Sequence, residues 1–151
     1  MKKLLYPVLL AFVLVCGFTA CGTPNYLTAG LRVEVTGIER AVDGTVQVTW
    51  RVSNPNVAAY VFAKTTHKLT LNGTPVGTLA DNVRLGVPPG KHAERSNVLT
   101  LSPAGGAALN QALAKGSAGY QIDSVMYLLI EEDKLEKLPF SSSGSVAVTG
   151  K

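Results

Sequence analysis

The side chains able to do chemistry are few, and their spacing does not gather them. His67 and His92 are the chain's two histidines. Neither has a His-x-x-x-His or Glu-x-x-His partner or a nearby cysteine pair, so the three or four ligands of a transition-metal site are not assembled in the sequence. Ser141-Ser142-Ser143 reads as a loop of hydroxyls with no base beside them, and a hydroxyl without a partnered base is a weak nucleophile. Glu131, Glu132, Asp133 and Glu136 form an acidic stretch that reads as a solvated connection, with at most weak capacity for a divalent cation. No glycine-rich phosphate loop occurs. These gaps point away from an enzyme, a metal centre and a bound cofactor. Two thiols remain, Cys16 and Cys21, and their chemistry depends on the segment that carries them.

That segment begins Met1-Lys2-Lys3, continues as an apolar run over 4–15 broken only by Pro7, and leaves through Phe18-Thr19-Ala20-Cys21. Basic start, apolar run and small-residue exit are the order of a secretory signal peptide. A retained membrane helix is the alternative, because about 18 residues is the lower limit for spanning a bilayer. Phe18-Thr19-Ala20-Cys21 resembles the lipobox of bacterial lipoproteins, with Ala20 in the small position before the cysteine. Cys16, preceded by bulky Val15, fits less well. The resemblance implies that the Cys21 thiol receives a diacylglycerol, that the chain is cut before it, and that the new amine is acylated. It also implies, from Gly22 rather than Asp after the cysteine, the periplasmic face of the outer membrane. The expected organisation is a signal peptide over 1–20, a lipidated N-terminus and linker over 21–30, and one folded domain over 31–150. No thiol is then left for a disulfide.

The 151 residues are 46% apolar and 16% charged, enough for one core and unlike a disordered tail. Without Lys2 and Lys3, twelve basic residues face ten acidic ones, and the charge falls from +4 to +2. The cations are scattered, which excludes a nucleic-acid surface as the expectation. The domain is expected to be a monomer.

Period-two alternation marks half-buried strands at Leu31, Val33 and Val35 and at Val46, Val48, Trp50 and Val52. Asp43-Gly44 turns between them, and Asn54-Pro55-Asn56 ends the second. The segment 60–71 extends to the hairpin signal Asn72-Gly73, and 76–87 returns. Pro88-Pro89-Gly90 turns again, and 91–101 reads as one further strand. Ser102 as N-cap, Pro103 at the first position and Gly116 at the stop bracket one helix, with Gly105 and Gly106 weakening its first turn. Tyr120, Ile122 and 125–130 form a buried strand, and Val146-Ala147-Val148 a short last one. The expected fold is all-β with one short helix, an immunoglobulin/fibronectin-III-like antiparallel β-sandwich of about seven strands.

Several of these residues, in order, look like the WHy (water stress and hypersensitive response) domain of the late embryogenesis abundant (LEA) type 2 family. They are Ser53-Asn54-Pro55-Asn56, Leu69-Thr70-Leu71-Asn72-Gly73 with Val76-Gly77, Val87-Pro88-Pro89-Gly90, Tyr120, and Leu138-Pro139-Phe140-Ser141 before Gly144-Ser145-Val146. The resemblance covers 31–150. It implies a β-sandwich with one helix and a non-enzymatic part in desiccation or related stress, through weak contacts with client proteins or membrane. Asn54, Pro55 and Asn56 are either a strand-ending turn or a recognition loop at one end of the sandwich. The rival to stress protection is a dedicated envelope binding module for a partner protein or for an apolar or lipid ligand between the sheets.

Overall fold

The computed structural model describes residues 28–132 and 134–151. Cys16, Cys21, the whole signal segment and Asp133 lie outside the described residues.

Strands β1 (Arg32–Arg40) and β2 (Val46–Ser53) form an antiparallel hairpin. Its turn is closed by the Asp43 carboxylate, which accepts from the Thr45 amide at 2.9 Å. Strands β3 (Tyr60–Leu71) and β4 (Thr74–Asp81) form a second hairpin. Here Asn72 and Gly73 both take positive φ, 48° and 82°, the backbone that suits strand twist in a two-residue loop. The return run then breaks at 82–84. The Asp81 carboxylate accepts from the Val83 amide at 2.8 Å, and β5 (Leu85–Val87) resumes alongside the start of β3.

The segment read as one strand over 91–101 is two. β6 (His92–Val98) pairs with β2, and β7 (Thr100–Leu101) pairs with β4. Buried Leu99 marks the crossing from one layer to the other. Helix α1 (Gly105–Lys115) follows, then a long hairpin of β8 (Ser117–Glu131) and β9 (Lys134–Gly150).

The strand order is β6-β2-β1-β9-β8-β3-β4-β7, with β5 beside β3. β9 pairs along its length with β8, and its last residues pair in parallel with β1, Ile38 opposite Val148. One curled sheet thus folds over on itself, and its two halves face each other. Trp50 of β2 meets His67 of β3 across the interior, ring centroids 4.3 Å apart. Val33, Val48, Phe62, Leu69, Ile122 and Met126 share the core with them, each 1% exposed or less. Among the described residues the fold is all-β with a single helix, as expected. They form nine strands rather than about seven, and one pairing is parallel.

Bulges explain where simple alternation fails. A register shift between Val35 and Gly37 moves the buried positions of β1 from odd to even numbers, so Ile38 faces inward after Val35. A second shift between Phe62 and Lys64 moves the buried positions of β3 the opposite way, from even to odd numbers, which places Thr65 and His67 inside.

Two expectations need correction. The last strand is seventeen residues long and includes Ser141, Ser142 and Ser143, which are therefore not a loop. At Pro139 the strand is paired with β8 alone, an edge position that accommodates proline. The helix is capped by Ala104 without a side-chain bond, not by Ser102. The Ser102 hydroxyl instead donates to the Pro75 carbonyl at 2.8 Å, fastening the helix entry to β4. Gly116 does end the helix in the left-handed region, φ 71°.

Candidate functional site

The sandwich has two unlike ends. At one, α1 lies over the sheet, and Arg40 of β1 donates to the Asn110 side chain at 2.8 Å. At the other, the chain enters at Thr28–Gly30 beside the turn after β2.

Asn54 organises this entry end. It is 1% exposed. Its side-chain amide donates to the carbonyls of Ala58 at 2.8 Å, Pro88 at 3.1 Å and Val87 at 3.2 Å. Its side-chain oxygen accepts from the Asn56 amide at 2.9 Å, and its own amide donates to the Lys91 carbonyl at 2.9 Å. One residue thus ties the turn after β2 to the turn after β5, because a buried amide must place every polar atom. Pro55 is exposed and Asn56 half-buried. A cleft of about 410 Å3 opens here, with Arg32, Lys91 and His92 among its walls. Beside it, a second depression of about 310 Å3 is lined by Thr28, Ala58, Ala59, Val61, Leu129 and Ile130, among others.

His67 is the other polar centre. It is 1% exposed and bonded on both ring nitrogens, Nδ1 to the Ser124 hydroxyl at 2.7 Å and Nε2 to the Thr65 hydroxyl at 3.1 Å. Burial holds its pKa down at about 4, opposed in part by the Asp81 carboxylate. The imidazole is therefore neutral at pH 7. A serine 2.7 Å from a histidine has the spacing of a nucleophile and its base. Here Ser124 is 2% exposed, and the second nitrogen is occupied by a hydroxyl rather than an orienting carboxylate. The arrangement satisfies polar groups inside the core.

Ser141 donates to Asp123 at 2.6 Å across β9 and β8, and Gln121 adds a longer bond. These two donors, with Lys68 nearby, lower the Asp123 pKa. Ser142 donates to the Val33 carbonyl and joins the two layers. Each of these two hydroxyls has a structural partner that sequence spacing could not indicate. His92 lies exposed on edge strand β6. Among the described residues, no three His, Cys, Asp or Glu side chains come together as a metal site.

A feature absent from the sequence reading is a groove of about 620 Å3 formed by β4, β3, β8 and β9. Thr66, Lys68, Ala80, Val125, Pro139 and Ser141 contribute to it. Strand alternation turns these six side chains away from the core, so the groove opens on the outer face of the sheet. Its sequence signal is the apolar run from Val125, whose odd positions 125, 127 and 129 are only half-buried; Val125 lines the groove.

The architecture is that of a small all-β domain with two facing sheet halves and one helix. No protein-family model matches the chain, and no curated protein matches it. Solved structures do resemble it. A protein from Arabidopsis thaliana, solved in solution, is 12% identical with a TM-score of 0.52, covering 80% of each chain. A protein described as a candidate LEA protein is also 12% identical, with a TM-score of 0.45 over 95% of this chain and 86% of its own. A crystal structure from Archaeoglobus fulgidus is 14% identical, with a TM-score of 0.46 over 78% of this chain and 94% of the other. At these identities the likeness concerns the fold alone.

Proposed function

We propose that this chain is a lipid-anchored, non-enzymatic stress-protection protein of the cell envelope, of the LEA type 2 kind. It is held through Cys21 at the periplasmic face of the outer membrane. It acts by weak contacts with client proteins or membrane. The observation that carries the reading is the role of the landmark residues behind the resemblance. Asn54 binds three carbonyls. Asn72 holds the hairpin at positive φ and accepts from the Gly119 amide at 2.9 Å. A Cβ on Gly144 would stand 3.0 Å from the Tyr120 ring. Residues that carry the resemblance are thus among those that geometry constrains here. His67, Ser124 and Thr65 bond one another inside the core, which suits a non-catalytic role.

Protection is tested by drying or heating a labile enzyme with residues 28–151, which keep every strand and the core. The expected result is more surviving activity than with an inert protein of the same size at equal mass. Equal survival would remove the reading. The anchor is tested separately. Cys21→Ser should abolish incorporation of labelled fatty acid and leave an uncut precursor. Label in that variant would reassign the acylated residue.

One observation favours the rival, a binding module for an apolar or lipid ligand. The 620 Å3 groove is large enough for an acyl chain. It lies on the outer face, whereas the space between the layers is filled by Trp50, Phe62 and their neighbours. Native mass spectrometry of protein extracted from membranes would show a retained lipid. A bare mass would rule this version out.

A further inference from the structure

We infer that the entry end of the sandwich is a membrane-contact surface that lies against the bilayer holding the anchor. The inference rests on the lipid anchor at Cys21 proposed above.

The chain length outside the described domain is the first argument. Cys21 is seven residues before Thr28, so fully extended chain spans at most about 25 Å. Strand β3, twelve residues long, makes the sandwich about 40 Å from end to end at about 3.3 Å per residue. The tether therefore keeps the entry end near the lipid surface and is too short to let the helix end take its place.

The second argument is what that end displays. Val57 is 97% exposed on the turn held by Asn54, in a stretch that continues through exposed Ala58 and Ala59 to Val61, 39% exposed. Ile130, 47% exposed, adds to this surface from β8. Val61 and Ile130 line the depression that Thr28, the first described residue, also lines. Apolar groups that remain in water in the free domain gain by entering the bilayer interface, in proportion to the apolar area buried there.

The third argument is charge. Arg32 and Lys91, with His92, wall the neighbouring cleft, and among the described residues no acidic one lines it. Two cations beside an apolar tip suit the phosphates of anionic headgroups, which attract lysine and arginine lying near the surface. Glu131 and Glu132, exposed at the β8–β9 turn, and Glu136, which lines the depression with Val61 and Ile130, oppose anionic lipid. The contact therefore centres on Val57 and the cleft, with Ile130 at its margin and the acidic residues in water.

The test uses the mature lipoprotein in vesicles of phosphatidylethanolamine and phosphatidylglycerol. A single environment-sensitive fluorophore is placed through Val57→Cys or, at the opposite end, Val42→Cys. Both sites are highly exposed, 97% and 86%, so neither change disturbs the core. Spin-labelled lipid should quench the probe at 57 at least three-fold more than the probe at 42. Lys91→Glu should reduce quenching at 57 while the protein stays on the vesicles. Equal quenching at both positions, with the protein retained, would overturn the inference and leave the anchor standing. Protein that washes off the vesicles would overturn the anchor and the inference with it.

Discussion

His67 carries a nitrogen heterocycle into the core, where it meets Trp50, Ser124 and Thr65. Its pKa of about 4 in the folded protein lies below the 6.5 of a free imidazole, and burial is the main cause. The unfolded chain therefore binds the proton more readily as pH falls. The neutral imidazole's contribution is complete above pH 6.5 and is lost as pH drops through 4, a change of about 3 kcal/mol. Urea unfolding at pH 7, 5 and 4 should show that loss, and His67→Gln should flatten this part of the profile. An unchanged pH profile in the variant would assign the loss to other groups. Asn54 makes a different prediction, because its side chain serves three carbonyls and one amide. Asn54→Ala leaves them unpaired in a closed site and should cost about 2–4 kcal/mol, read as a lowered Tm. Spacing alone indicated that Asn54 ends a strand. It could not show which carbonyls the side chain reaches, since two of them lie more than thirty residues away.

Helix α1 shows how an element can depend on a residue that weakens it locally. Glycine lowers helix propensity by about 1 kcal/mol relative to alanine. At Gly105, however, a Cβ would stand 2.1 Å from the Val76 carbonyl oxygen, so only glycine lets the helix start this close to β4. Gly106 has nothing within 4 Å of such a Cβ. Gly105→Ala should therefore destabilise by about 1–3 kcal/mol. Gly106→Ala should stabilise by about 0.5–1 kcal/mol. Thermal unfolding of the two variants side by side checks both signs, and the same sign for both would contradict the close approach. The helix itself was legible from its glycine stop at Gly116, and it buries Leu109 at 1% exposure. Its true N-cap was not legible, because Ser102 is drawn away by Pro75, a residue of another element.

At the level of the molecule, the two sheet halves are joined by β9. Its last turns bury Val146 and Val148 at 4% and 1% exposure and pair with β1. Val148 donates its amide to the Gly116 carbonyl at 3.0 Å, and Lys151 reaches Glu39 at 2.7 Å. The ion pair is exposed and adds little. The two valines are worth about 1.5–3 kcal/mol each. That sum approaches the whole stability of many small domains. Ending the chain after Ser145 should therefore abolish cooperative unfolding by circular dichroism, whereas Lys151→Ala should shift Tm by less than about 2 °C. A folded, cooperative truncated chain would mean that the β1–β9 seam is dispensable.

The sequence by itself determined which segments extend, where the tight turns fall and that one helix interrupts the strands. Alternation, Asn-Gly and Asp-Gly pairs and a left-handed glycine stop act over a few neighbouring residues, so they are readable without the fold. The same locality made Ser141, Ser142 and Ser143 look like a loop and made 91–101 look like one strand. Ser142 finds its partner in Val33, 109 positions away, and Ser124 finds His67 at a separation of 57. Only the tertiary structure decided these pairings, the double role of β9, the outer groove and the apolar, basic entry end. Each arises where strands distant in sequence come together, and the energies that select them are contacts between those strands rather than properties of any one.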